Sequence, residues 1–150
     1  MSVIVIEFIT LDGIVSDPDG SGDTPTGGWA FRHGPQTVAG DKFRLGSALD
    51  DGVMLLGRTT WQLFSRVIDG DLVDAVKRER RDVIITGSLS VVYALMAEDL
   101  IDEYRLLTFP TILGTGERLF SAGGPPAYLE CLSAERAGAA VLARYGRPAR

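Results

Sequence analysis

Val83-Ile84-Ile85-Thr86-Gly87-Ser88-Leu89 runs from an apolar segment through a glycine into hydroxyl residues, and Val53-Met54-Leu55-Leu56-Gly57-Arg58-Thr59-Thr60-Trp61 repeats its logic upstream. Each opens with an apolar run that reads as a strand buried on both faces. A glycine at the strand exit and hydroxyl residues at the helix entry follow, and they leave the first backbone N–H groups of a helix free. Free amides at a helix start are the chemistry of a phosphate cradle. Two cradles at one edge of one sheet suit the two phosphates of a dinucleotide. Each also has a plainer reading: a helix N-cap with a surface arginine at Arg58, and an ordinary strand-to-helix glycine turn at Gly87-Ser88.

Outward from these turns, strands alternate with helices. Val3 to Ile9 reads as a buried strand that ends at the turn Leu11-Asp12-Gly13. Pro35 opens a predicted helix with Val38, Leu45 and Leu49 on one face and Lys42 between them. Asp71 to Arg80 predicts a helix with Leu72, Val73 and Val76 inward. Another helix carries Leu89, Val92, Leu95 and Met96 on its inner side. Glu103 to Phe109 predicts a strand stopped by Pro110. Tyr128 to Leu132 and Ala139 to Tyr145 predict a closing antiparallel hairpin. The pattern is α/β: a three-layer sandwich around a mixed, mostly parallel sheet, with the whole chain, 1–150, as one domain.

Composition narrows the function. Apolar residues make up 45% and charged residues 23% of the 150, the balance of a globular domain. A net charge of −5 argues against nucleic acid or an anionic membrane as partner. No apolar run is long enough to span a membrane. The single cysteine, Cys131, allows no internal disulfide, which favours a reducing, cytoplasmic setting; its predicted strand makes it a small core residue. One histidine, His33, and one cysteine far apart in sequence give no zinc site, and no metal is expected. His33 reads as a surface loop residue.

Residues 17–34 carry glycine at 20, 22, 27, 28 and 34 and form a long loop that holds Trp29 and Phe31. Loops of that length inside a domain are usually functional or disordered. The two aromatic side chains read either as a lid over a flat substrate or as anchors to the core. Asp12, at the end of the first strand, lies where α/β sheets place ligands. It reads as a catalytic carboxylate that accepts a substrate or ribose hydrogen bond, or as an Asp-Gly turn residue. Thr10 beside it has the same two readings. Gly114 and Gly116 either let backbone approach a cofactor or simply turn a loop.

At these residues the chain resembles the dihydrofolate reductase-like superfamily, and within it the RibD C-terminal domain group of riboflavin-biosynthesis reductases. The matching pieces are Phe8 to Gly13, Gly28 to Phe31, Leu56 to Thr60, Ile85 to Ser88, Leu100 to Glu103, Phe109 to Phe120 and Tyr145 to Arg150, in the family's order. The resemblance implies an oxidoreductase that uses NADPH, with NADH as the alternative, and acts as a homodimer on a small-molecule substrate. It implies cofactor contacts from Gly57, Arg58, Thr59, Thr60, Gly87, Ser88, Leu89, Gly114 and Gly116. Asp12 then faces the substrate with Thr10, Trp29 and Phe31.

Two departures from the family bear on this. Riboflavin reductases of the group carry Glu-Gly-Gly where this chain has Thr86-Gly87-Ser88, which loosens the link to the riboflavin precursor. A further strand with a Ser-Arg turn normally precedes the helix that here starts near Asp71, yet Phe64 runs almost directly into Val67-Ile68. That shortening opens a rival reading, a non-catalytic dimeric domain that binds a ligand or partner.

Overall fold

The computed structural model describes residues 2–55, 72–86, 89–120, 124 and 126–148. Six strands form one sheet: β1 (Val3–Thr10), β2 (Val53–Leu55), β3 (Val83–Thr86), β4 (Glu103–Phe109), β5 (Glu130–Ala137) and β6 (Ala140–Gly146). Their order is β2-β3-β1-β4-β6-β5. β1 and β2 both pair parallel with β3, Val3 and Val53 each opposite Val83. β5 and β6 are antiparallel and joined by Gly138 and Ala139. Three helices are described: α1 (Ala48–Asp51), α2 (Leu72–Arg78) and α3 (Leu89–Ala97).

The chain divides into two compact units. The first comprises Met1–Ile6 and Leu45–Tyr104. Its core is the parallel strands and α3: Val3, Val5, Ile84, Ile85, Val92 and Leu95 are all at most 2% exposed. Unbroken Val/Ile runs are what a parallel strand covered on both faces requires. Asp102 accepts the Val3 amide at 2.8 Å and returns its own amide to the Val3 carbonyl at 2.9 Å. That reciprocal pair fixes the start of β1 beside the entry to β4.

The second unit comprises Glu7–Arg44 and Arg105–Arg150. Trp29, Ala30, Leu107, Phe109, Ala137, Ala140 and Leu142 form its core, with Phe8 and Phe43 packed against it. Phe109 meets Trp29 and Phe8 edge-on at ring separations of 5.4 and 5.5 Å. Each such aromatic pair contributes about 0.5–1.5 kcal/mol beyond its buried area. Arg105 is buried on β4 and donates from Nη1 to the carbonyls of Phe43 (3.0 Å) and Arg44 (2.7 Å). It satisfies the backbone of a segment that has no regular structure of its own.

That segment departs from expectation. The helix predicted from Pro35 to Leu49 is only a 3₁₀ turn, Pro35–Thr37, and the short α1. Arg44 and Gly46 both adopt a left-handed backbone near φ +56°, which no helix accommodates. The hairpin is also displaced along the chain: β5 begins at Glu130 rather than Tyr128 and continues to Ala137. Seven of its eight residues are exposed, because it is the outer strand of the sheet and neither face alternates. For the same reason Cys131 is exposed and not a core residue. Among the described residues, no helix is long and apolar enough to cross a membrane.

Candidate functional site

The segments that leave β1 and β4 are knitted together. The Leu11 amide donates to the Thr111 carbonyl (2.9 Å), Val15 to Glu117 (2.9 Å) and Leu119 to Gly13 (3.1 Å), and Ile14 bridges Arg118. Asp12 is the hub of this junction. Its carboxylate accepts the Thr10 hydroxyl at 2.6 Å, the Gly114 amide at 2.7 Å and the Leu113 amide at 3.3 Å. Donors aimed at the charged form favour it. The Thr10 hydroxyl first, then the Gly114 amide, hold the Asp12 pKa at about 2, below its ordinary 3.8. Asp12 is therefore ionised at neutral pH and accepts hydrogen bonds; it does not supply a proton. Arg118 Nη1 adds a 3.1 Å bond to the Asp12 carbonyl.

Thr10 and Trp29 are sealed from solvent, at 2% and 1% exposure, and offer no surface to a ligand. Thr10 Oγ1 also accepts the Ile14 amide at 3.0 Å. Trp29 packs on Phe109 and donates from Nε1 to the Ser16 carbonyl at 3.0 Å. The anchor reading of Trp29 replaces the lid reading. Phe31, in the same 3₁₀ turn (Trp29–His33), is half exposed.

Gly116 sits at φ +131°, and a Cβ there would lie 2.6 Å from Ile14 Cγ2 and 2.9 Å from Ser16 Oγ. Its close approach is to the protein's own β1 exit. Gly114 is left-handed at φ +79°, exposed, with open space around it.

Gly57, Arg58, Thr59, Thr60, Gly87 and Ser88 lie outside the described residues, as does the shortened stretch between Phe64 and Asp71. Around the second turn, β3 ends at Thr86 and α3 begins at Leu89, which is half-buried in its first turn.

His33 is not the free surface residue the sequence suggests. Its Nε2 shares a 2.8 Å hydrogen bond with Thr111 Oγ1, and its ring tilts against Phe109 at 5.8 Å. No local pattern marks this pair, since 78 positions separate the two residues. The nearest signal was the company of Trp29 and Phe31. Among the described residues, no group of three or more His, Cys, Asp or Glu side chains could hold a metal ion.

A mixed α/β sheet with an antiparallel C-terminal hairpin matches the dihydrofolate reductase-like fold. The chain belongs to the RibD C-terminal domain family, which residues 63–143 match. A protein from Shewanella sp. PV-4, assigned by name to riboflavin biosynthesis, superposes with a TM-score of 0.73 at 20% identity, over 99% of this chain and 100% of its own. RibD of Acinetobacter baumannii gives 0.61 at 16% identity, over 97% of this chain and 57% of its own. A Thermotoga maritima protein named as a diaminohydroxyphosphoribosylaminopyrimidine deaminase and 5-amino-6-(5-phosphoribosylamino)uracil reductase gives 0.58 at 14% identity, over 98% and 56%. This chain thus spans little more than half the length of the last two. Among curated proteins, none matches.

Proposed function

We propose that this protein is a nicotinamide-dependent reductase that transfers a hydride from NADPH, or NADH, to a small, flat, polar acceptor of pyrimidine, pteridine or riboflavin-precursor type. Membership of the RibD C-terminal domain family carries the reading. Hydride transfer needs no protein nucleophile; the cofactor supplies the hydride, and the chain supplies position and polarity. Gly57, Arg58, Thr59, Thr60, Gly87, Ser88 and Leu89 would hold the cofactor. Arg58 suits its phosphate oxygens through a guanidinium fork. Asp12 fixes the amides of Leu113 and Gly114, so that the loop through Gly116 keeps one shape beside the acceptor. The reading includes a homodimer and a reducing, cytoplasmic setting.

Titration with NADPH and with NADH, followed by tryptophan fluorescence and melting temperature, tests it. A saturable change with at least one of them is expected, and Arg58→Ala should weaken it about tenfold or more, the loss of a charge-assisted phosphate contact. No response to either would leave the non-catalytic binding domain as the better reading.

A further inference from the structure

The chain contains no asparagine and four Asp-Gly steps: Asp12-Gly13, Asp19-Gly20, Asp51-Gly52 and Asp69-Gly70. In each, a backbone amide follows directly on a carboxyl side chain, and glycine has no Cβ to keep the two apart. Ring closure joins the glycine nitrogen to the aspartate Cγ. One water leaves, made from the carboxyl hydroxyl and the amide hydrogen. Water then reopens the five-membered imide. Attack at Cγ restores aspartate. Attack at the main-chain carbonyl leaves isoaspartate, whose backbone runs through Cβ and Cγ. The chemistry needs only water, so the fold decides which step reacts. Asp69-Gly70 lies outside the described residues.

Two of the other three steps are closed. At Asp12 both carboxylate oxygens are taken, Oδ1 by the Thr10 hydroxyl and the Leu113 amide, Oδ2 by the Gly114 amide. The acid form that would lose water has to break one of those bonds. The Gly13 amide is itself committed to the Thr10 carbonyl at 3.1 Å. At Asp51 the glycine is the fixed partner. The Gly52 amide caps α1 on the Ala48 carbonyl at 3.0 Å. A Cβ on Gly52 would lie 2.6 Å from that oxygen and 2.8 Å from the Asp82 carbonyl oxygen. Backbone packed that closely does not swing its nitrogen toward a carboxyl carbon.

Asp19-Gly20 is open on both counts. The Ser21 amide (3.0 Å) and hydroxyl (2.8 Å) both donate to Oδ1, and Oδ2 has no hydrogen-bond partner among the described residues. A proton on Oδ2 therefore leaves both Ser21 bonds in place. The Ser21 amide, then its hydroxyl, hold the Asp19 carboxyl below its ordinary range, so the reacting acid form is a minority. The Gly20 amide reaches the Asp17 carbonyl only at 3.4 Å, long for an N–H···O bond. Asp19 and Ser21 to Thr24 are exposed, which gives water access to the imide.

We propose that Asp19 is a site of spontaneous modification, where the Asp19-Gly20 step closes to the imide and reopens to isoaspartate well ahead of Asp12 and Asp51. The product lengthens the backbone of the loop between Asp17 and Gly28 by one carbon and frees a carboxylate at Cα. This reactivity does not depend on the reductase reading.

The folded full chain is aged in mildly acidic buffer at body temperature, with a second sample in urea. Isoaspartate is counted by methyl transfer from S-adenosylmethionine with a protein isoaspartyl methyltransferase and placed by electron-transfer fragmentation. Without asparagine in the chain, every count comes from aspartate. In the folded chain, isoaspartate is expected at Asp19 roughly tenfold faster than at Asp12 or Asp51, whose glycine amides must first break a hydrogen bond. In urea the three rates should converge. Asp19→Glu should remove its signal, since glutamate would have to close a six-membered ring, and the exposed position keeps the fold intact. No isoaspartate at Asp19, or an equal rate at Asp12 or Asp51, overturns the proposal. The same ranking in urea also overturns it, because sequence and not structure would then set the order.

Discussion

Gly114 donates its amide to Oδ2 of Asp12 at 2.7 Å across 102 positions of sequence, and that bond joins the exits of β1 and β4. The Asp12 carboxylate is therefore occupied in holding backbone.

The bond makes the junction acid-sensitive with a defined sign. The folded-state pKa of Asp12 is about 2 against an ordinary 3.8. Its contribution to stability is complete above about pH 4 and is lost as pH falls through about 2. Melting curves from pH 5 to pH 2 should show wild type losing more stability over that window than Asp12→Asn, with the two profiles flattening above pH 5. Parallel profiles down to pH 2 would exclude this role for Asp12.

Gly116 and Gly114 should respond differently to the same substitution. Gly116→Ala drives a Cβ into Ile14 and Ser16 and keeps a positive φ, and should cost about 2–4 kcal/mol. Gly114→Ala meets open space and should cost about 1–2 kcal/mol, the left-handed backbone penalty alone. Urea denaturation of the two variants measures the difference, and equal costs would refute the steric argument.

Trp29 and Phe31, two residues apart, should differ sharply in what they contribute to stability. Trp29→Ala empties a fully buried site beside Phe109 and should cost about 3–5 kcal/mol. Phe31→Ala should stay within about 0.5 kcal/mol of wild type. Chemical denaturation checks both.

Arg105 should matter for the order of the segment it holds. Its Nη1 serves the carbonyls of Phe43 and Arg44 inside the second unit. Arg105→Met keeps the apolar stem and strips those donors, and should cost about 1.5–3 kcal/mol. Amide exchange across residues 41–46 should rise in the variant; unchanged exchange would show that other contacts hold the segment.

The frame of the sheet was legible because its strands are buried. β3 and β4 coincide with their predicted ranges residue for residue, and β1 extends one residue past its predicted end, since unbroken runs such as Val83-Ile84-Ile85 admit few other structures. Where burial is absent, the pattern goes silent. Ser133 to Arg136 lie in an outer strand with no alternation, so the predicted strand stops at Leu132 and puts the exposed Cys131 in the core. Val38, Leu45 and Leu49 kept helical spacing, but spacing could not register that Arg44 turns left-handed and is held there by Arg105 on β4. Of the site, Asp12 could be found from its Asp-Gly turn. Its partners Leu113 and Gly114, and the bond between His33 and Thr111, are contacts between distant positions that no local motif encodes.

The loop from Asp17 to Gly28 is wound on its own first residue. The Gly28 amide returns to the Asp17 carbonyl at 2.9 Å, while the Asp17 carboxylate takes the amides of Gly22 and Thr24 at 2.8 and 2.9 Å. The two ends of the loop are thus already adjacent, and the bonds of Gly20, Gly22, Asp23, Thr24 and Gly27 close within the loop itself. A shorter or longer insert between Asp17 and Gly28 should therefore leave Trp29 in its seat on Phe109 and the Ser16 carbonyl.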